Sequence, residues 1–285
     1  MLKKKLTWVM ALACAAALAV GCMGLTACGG SGDTETTGTD QATTEQADQT
    51  PAADYKLVKD GTLTVSTSPD YKPMEYMEDG KITGYDIALI DAIGEKLGLD
   101  VDVQQQAFDT LVTGVAGGSQ FDCSISSITI DDERAEQVLF SDPYYDSNLA
   151  MVVMADSDFT AKEDLNGHKV AAQSGSSGEA WVKENLPDAD YTPFQETPDA
   201  LAALRAGTVE AVVYDDPVAE NHVSGEYNDC KVLEVIPTGE QYGIIVNKDN
   251  QALCDAINQA LQELTDDGTV DQLKAEYIGQ TAAQN

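Results

Sequence analysis

From about residue 54 onward, apolar residues recur with two alternating periods, and each switch of period marks a change of element. Leu63 and Val65 alternate with polar neighbours, as in a strand, and Asp79-Gly80 is a hairpin-turn dipeptide. Ile87, Ile90, Ile93 and Leu97 share one face of a helix over 86–97, with Asp86 at its start and Gly98 just past its end. Val101 and Val103 predict the next strand, Asp109 opens a helix through Leu111 and Val115, and Phe121 to Ile125 is a short apolar strand. The second half repeats this grammar, with a strand over Val170 to Ala172, a helix from Ser176 and a strand over Val209 to Tyr214. Pro217 suits the first position of another helix, with Asp216 as its cap. The alternation predicts an α/β protein with parallel sheets covered on both faces. Ligands on such sheets bind beyond the carboxyl ends of the strands, so function is sought in the loops there.

The N-terminal segment follows neither period. Lys3, Lys4 and Lys5 precede an uncharged apolar run from Leu6 to Val20 that is short and rich in Ala for a membrane span. Leu25-Thr26-Ala27-Cys28 then resembles the lipobox of bacterial lipoproteins, in which the cysteine is acylated and becomes the new N-terminus. The resemblance implies a leader over residues 1–27 and lipidation at Cys28. Cys22 is a competing acceptor with the poorer Ala19 three residues before it, and an ordinary secretory signal is the plainer alternative. Residues 28–53 hold Thr, Asp, Glu, Gln, Gly and Ala without a basic or aromatic residue, the composition of a flexible tether. A chain of that length reaches roughly 25–30 Å. The folded part is expected outside the cytoplasm, held to the outer face of the cell membrane.

Charge narrows the partners. Loss of the leader leaves 13 basic residues against 49 acidic ones, a formal charge of −36. So acidic a surface repels nucleic acid and anionic headgroups. Cys123, Cys230 and Cys254 remain beyond the tether, an odd number without metal-like spacing, so neither a disulfide framework nor a metal site is expected.

Three loops after predicted strands carry polar groups of complementary sign. Ser126 to Arg134 offers hydroxyls, backbone N–H groups and one guanidinium, whose planar fork suits a carboxylate. Arg205 is the only other arginine in the chain. From local sequence alone, Arg134 fits an exposed ion pair with its acidic neighbours equally well. Gln173 to Gly178 precedes a helix and suits either an anion or plain capping by a serine. In Tyr214-Asp215-Asp216-Pro217, the cap at Asp216 leaves Asp215 for a cation or for a solvated turn.

Seven segments, in order, resemble the bacterial extracellular solute-binding proteins of family 3, which deliver amino acids to ABC importers. They are Pro69 to Tyr76, Gly84 to Ile87, Ile128 to Arg134, Phe140 to Tyr145, Glu210 to Asp215, Tyr242 to Ile244 and Asp267-Gly268. The resemblance implies a two-lobed periplasmic-binding-protein fold of type II, a Venus-flytrap with two crossover strands. Lobe 1 would be residues 54–144 plus 245–285 and lobe 2 residues 149–239, with crossovers near 145–149 and 240–244. Arg134 and Thr129 would hold the substrate α-carboxylate from lobe 1, completed by Ser177 from lobe 2. Asp215 would take the α-ammonium, helped by the Ser127 carbonyl. Tyr71 and Phe108 would flank the ligand side chain, though core packing is the plainer role for aromatic residues.

Ser68 stands where other members often place an Asp, and Gln173 and Tyr214 where others place charged or imidazole groups. The side-chain end would then be neutral and polar, favouring a polar uncharged or acidic amino acid, with Glu75 as a carboxylate that could still reach it. The resemblance implies a monomer without a cofactor, serving an ABC transporter permease. An exported dehydratase-like enzyme on the same fold is the alternative, since fold alone does not settle function. His168 and His222 lie outside the matched segments, and no Ser–His–Asp order appears.

Overall fold

The structure, a computed structural model, describes residues 55–279. The leader, Cys28 and the tether lie outside the described residues. In chain order, β1 (Thr62–Thr67), β2 (Asp70–Tyr71), β3 (Glu75–Glu78) and β4 (Lys81–Thr83) precede α1 (Tyr85–Leu97) and β5 (Asp100–Gln105). Next come α2 (Leu111–Ala116), β6 (Cys123–Ser124), α3 (Asp132–Ala135), β7 (Val138–Phe140) and the long β8 (Tyr145–Met154). After β9 (Lys169–Gln173), α4 (Ser177–Asn185), β10 (Asp190–Phe194) and α5 (Thr197–Arg205) come β11 (Ala211–Asp215) and α6 (Asp216–Ser224). The long β12 (Cys230–Tyr242), β13 (Ile245–Asn247), α7 (Gln251–Asp266) and α8 (Thr269–Tyr277) complete the order.

Two five-stranded sheets, ordered β5-β1-β6-β13-β7 and β10-β9-β11-β8-β12, form the two lobes, with β2-β3-β4 as a small ribbon beside the first. Both sheets are mixed, which corrects the expectation of parallel sheets. β1 runs parallel to β5 and β6, whereas β13 runs antiparallel to β6 and β7. In the second sheet β11 is parallel to β9 and antiparallel to β8, which also pairs antiparallel with β12. The chain leaves the first lobe along β8 and returns along β12, and a returning strand enters its sheet in the opposite sense. Local alternation of strands and helices carries no trace of that return.

Burial follows from the layering. All six residues of β1 are buried, including Thr62, Thr64 and Ser66, because this strand sits inside its sheet with both faces covered. Leu89, Ile90 and Ile93 of α1 belong to one core with Leu253, Ile257 and Leu261 of α7. Each such aliphatic contributes about 1.5–3 kcal/mol relative to exposure. Gly84 precedes α1 at φ 123°, where a Cβ would meet the Met74 carbonyl oxygen at 2.2 Å. No side chain caps this helix, and Asp86, read from the sequence as its start, is instead fully buried within it. The spacing of Asp86, Ile90 and Ile93 places the acid on the buried stripe.

The lobes meet where β8 and β12 pair, at Tyr145 with Tyr242, Asp146 with Gln241 and Ser147 with Glu240. The Tyr145 and Tyr242 rings stack with centroids 5.6 Å apart, and Tyr144 and Tyr85 pack around them. The loop after β6 reaches the same place through a bridge between Thr129 and Tyr242. Cys123, Cys230 and Cys254 are buried free thiols.

Candidate ligand-binding site

Arg134 lies on the single turn of α3, which is capped by Asp131. The Asp131 carboxylate accepts the Arg134 backbone N–H at 2.7 Å and lies 3.2 Å from its Nε, so one acid sets both helix and side chain. Arg134 is 9 % exposed, and its guanidinium donates from Nη1 to the Thr129 carbonyl at 2.6 Å. Nη2 donates to the Gly175 carbonyl of the other lobe at 2.9 Å, and the Phe108 ring lies 5.7 Å from the guanidinium carbon. Arg134 thus pairs with one acidic neighbour while buried between the lobes, rather than forming the exposed ion pair that the local sequence allowed.

Across the cleft, Ser176 caps α4 by accepting the Glu179 N–H at 3.1 Å. That frees Ser177, whose hydroxyl donates to Glu240 Oε2 at 2.8 Å. The Thr129 hydroxyl lies 3.0 Å from the same oxygen and 3.4 Å from Ser177 Oγ. Gly178 lets this helix start lie close to β11, because a Cβ there would come within 2.7 Å of the Val213 carbonyl oxygen.

Asp215 is the N-cap residue of α6, yet its side chain makes no capping bond. Its Oδ2 accepts the Tyr71 hydroxyl at 2.8 Å, and that hydroxyl accepts the Asp215 N–H at 2.9 Å. Its Oδ1 is buried with no hydrogen-bond partner among the described residues. Burial, then the negative charge of Glu240, raise its pKa to about 7. Asp216, read from the sequence as the cap, instead reaches β8 and accepts the Asn148 N–H at 3.1 Å. α6 opens on Asp216 itself, with Pro217, which has no N–H to be capped, next in its first turn.

Seven expected residues line one cavity of about 20 Å³, namely Tyr71, Phe108, Ser127, Thr129, Gln173, Ser177 and Asp215. Glu75, Ser126 and Ser176 complete the lining. Arg134 stands behind Thr129. Ser68 is buried outside the lining, where its hydroxyl donates to Asp70 at 3.0 Å. Tyr214 is buried outside it too, edge-on to Tyr71 at 6.4 Å. Gln173 donates to Asp70 at 3.1 Å, and the Thr197 N–H reaches the same acid at 2.9 Å, so Asp70 joins the lobes. Burial lifts the Asp70 pKa to about 6.

Glu75 is the group that sequence reasoning underweighted. It is 1 % exposed and accepts the Ser126 and Ser127 hydroxyls at 2.9 and 3.2 Å. Burial, followed by the charge of Asp86, holds its pKa well above the carboxylate range. Asp86 accepts the Ser127 N–H at 2.8 Å and the Tyr144 hydroxyl at 2.9 Å, and burial raises its pKa to about 6. Ser127 takes a positive φ of 48° to make these bonds, a conformation uncommon outside glycine and frequent at functional sites. Among the described residues, no group of three or more His, Cys, Asp or Glu could hold a metal ion, and no helix is long and apolar enough to cross a membrane.

Two lobes on paired crossing strands, with a polar cavity between them, define a ligand trap of the solute-binding type. The chain belongs to the bacterial extracellular solute-binding proteins, family 3, whose model matches residues 63–280. It is 34 % identical to the arginine-binding extracellular protein ArtP of Bacillus subtilis over 222 residues, 76 % of this chain and 86 % of that one. An ancestral arginine-binding protein, solved with arginine and with glutamine, superposes with a TM-score of 0.73 at 37 % identity. The arginine-bound form covers 76 % of this chain and 98 % of that one. An ancestral amino acid-binding protein described as a precursor of cyclohexadienyl dehydratase gives a TM-score of 0.72 at 33 % identity, covering 76 % of this chain and 96 % of that one.

Proposed function

We propose that this chain captures a free α-amino acid between its lobes and delivers it to an ABC importer, held to the membrane by a lipid on Cys28. The observation that carries this reading is that Asp215, with its Oδ1 buried and unpartnered, lines the same cavity as Thr129 and Ser177, beside Arg134. An ammonium is the partner that this oxygen lacks, and a carboxylate is the partner that the hydroxyls and guanidinium suit. Burying a zwitterion is tolerable only when both of its charges are met. Lobe 1 is assigned to residues 54–144 plus 245–285, lobe 2 to 149–239, and the hinge to the paired strands between them.

A cavity of about 20 Å³ holds roughly one water, so an amino acid enters only when the lobes separate. Separation breaks the Tyr71–Asp215, Asp70–Gln173 and Arg134–Gly175 bonds, each worth about 0.5–3 kcal/mol net. Contacts that a ligand makes with both lobes offset that cost on closure.

Glu75 changes the expected side chain. A buried carboxyl in the lining disfavours an acidic ligand and suits a cation or an amide donor. Similarity to arginine-binding proteins supports arginine as the first candidate, and the glutamine-bound ancestral protein supports glutamine as the next. Isothermal titration of the purified protein tests this directly. Binding of arginine or glutamine with none of aspartate or glutamate is expected, and a preference for the acidic pair would refute the assignment.

One observation favours the dehydratase-like alternative. Burial raises the pKa of Glu75 well above its ordinary value and that of Asp215 to about 7, the direction a general acid needs. The similarity to binding proteins outweighs it. A ligand recovered from the protein with its mass unchanged is the expected outcome, and loss of water or carbon dioxide would establish the enzyme.

A further inference from the structure

Glu240 lies on β12 opposite Ser147 of β8, on the strands that join the lobes. Its Oε2 accepts the Ser177 hydroxyl at 2.8 Å and the Thr129 hydroxyl at 3.0 Å. These hydroxyls come from different lobes and are the pair assigned above to the ligand α-carboxylate. The charge of Glu240 also acts on both ends of the proposed zwitterion site, on Arg134 and on Asp215.

We propose that Glu240 is an internal stand-in for the ligand α-carboxylate, seated in the anion slot and expelled from it when an amino acid binds. The inference rests on the amino-acid reading of the site. Each hydroxyl has one proton to donate, and both are given to the same Glu240 oxygen. A ligand carboxylate must take both bonds, and two carboxylates within about 4 Å repel strongly in a desolvated cleft. Binding and the seated Glu240 are therefore mutually exclusive. Apparent affinity is lowered by the fraction of molecules whose slot is free. A slot filled nine times in ten weakens binding about tenfold. Expulsion also acts on the joining strands, two residues from the stacked Tyr242, which couples arrival of the ligand to the hinge.

The stand-in makes a prediction that a simple clamp between the lobes does not. A ligand without an α-carboxylate makes no use of the emptied slot, so removing Glu240 does not raise its affinity. L-arginine and agmatine, the same side chain with and without the carboxylate, are the probes. Titration calorimetry of the wild-type chain, Glu240→Ala and Glu240→Gln reads both, with near-UV circular dichroism as the check on folding. Glu240→Ala is expected to tighten L-arginine about tenfold or more and to weaken or leave unchanged agmatine, with Glu240→Gln in between. Unchanged or weakened arginine binding in both variants would overturn the stand-in and leave a clamp. If agmatine binds no form, the arginine result alone decides. If no amino acid binds the wild type or either folded variant, the amino-acid reading itself fails.

Discussion

Asp215 makes ligand affinity and fold stability respond to pH in opposite directions. Burial raises its pKa to about 7, whereas an unfolded aspartate titrates near 3.9. A ligand ammonium needs the ionised form, so binding below neutrality must first drive off a proton. From pH 7.5 to 5.5 the ionised fraction falls enough to weaken binding about 25-fold. The amino acid itself keeps both of its charges across that interval, so the change belongs to the protein. The sign for stability is opposite, because the folded state holds its proton at a pH where the unfolded chain has released it. Stability therefore rises as pH falls through about 7, by on the order of 2 kcal/mol between pH 7.5 and 5.5 from Asp215 alone. Asp70 and Asp86, each raised to about 6 by burial, act in the same direction. Calorimetry in two buffers of different ionisation enthalpy counts the protons, and close to one should be released on binding near pH 6. Urea unfolding at the same pH values reads stability. An affinity constant within threefold over this range, or a fold that weakens towards pH 5.5, would refute the argument.

Other perturbations test separate parts of the account. Arg134→Ala should weaken amino-acid binding by about 2–5 kcal/mol by calorimetry with near-UV dichroism retained, since it removes the cation behind the carboxylate slot. Gly178→Ala should lower stability by about 1–3 kcal/mol in urea unfolding, because its Cβ would press on the Val213 carbonyl at 2.7 Å. Cys28→Ala should abolish metabolic acyl labelling, whereas Cys22→Ala should leave it intact.

What the sequence could reveal divides along physical lines. The helix read over 86–97 is Tyr85–Leu97, and the Asp79-Gly80 turn joins β3 to β4, because both depend on spacing within a few residues. The strand read over Phe121 to Ile125 shrinks to Cys123–Ser124, since Phe121 packs under α2 rather than extending the ladder. The antiparallel entry of β13 beside β6 joins residues more than a hundred positions apart, which no local pattern encodes. Loop chemistry was legible as residue types, and Thr129, Ser177 and Asp215 do face one cavity. Their partners were not. Asp86 and Asp216 look like helix caps in one dimension and serve long-range bonds in three. Glu240 shows no signal at all until the joining strands bring it to Ser177.

Capture of a zwitterion is the central claim, and a thermal-shift screen of the purified protein tests it most directly. The probes are the twenty amino acids, each beside its α-amide and N-acetyl derivative. A ligand with a dissociation constant near 1 μM, supplied at 1 mM, stabilises the fold by about 4 kcal/mol. For a domain of this size that raises Tm by roughly 8–16 °C. A free amino acid, arginine first, should give that shift while its amide and N-acetyl forms give almost none. Equal shifts from the blocked derivatives, or a flat screen in which only a sugar or a metal ion stabilises the protein, would contradict it.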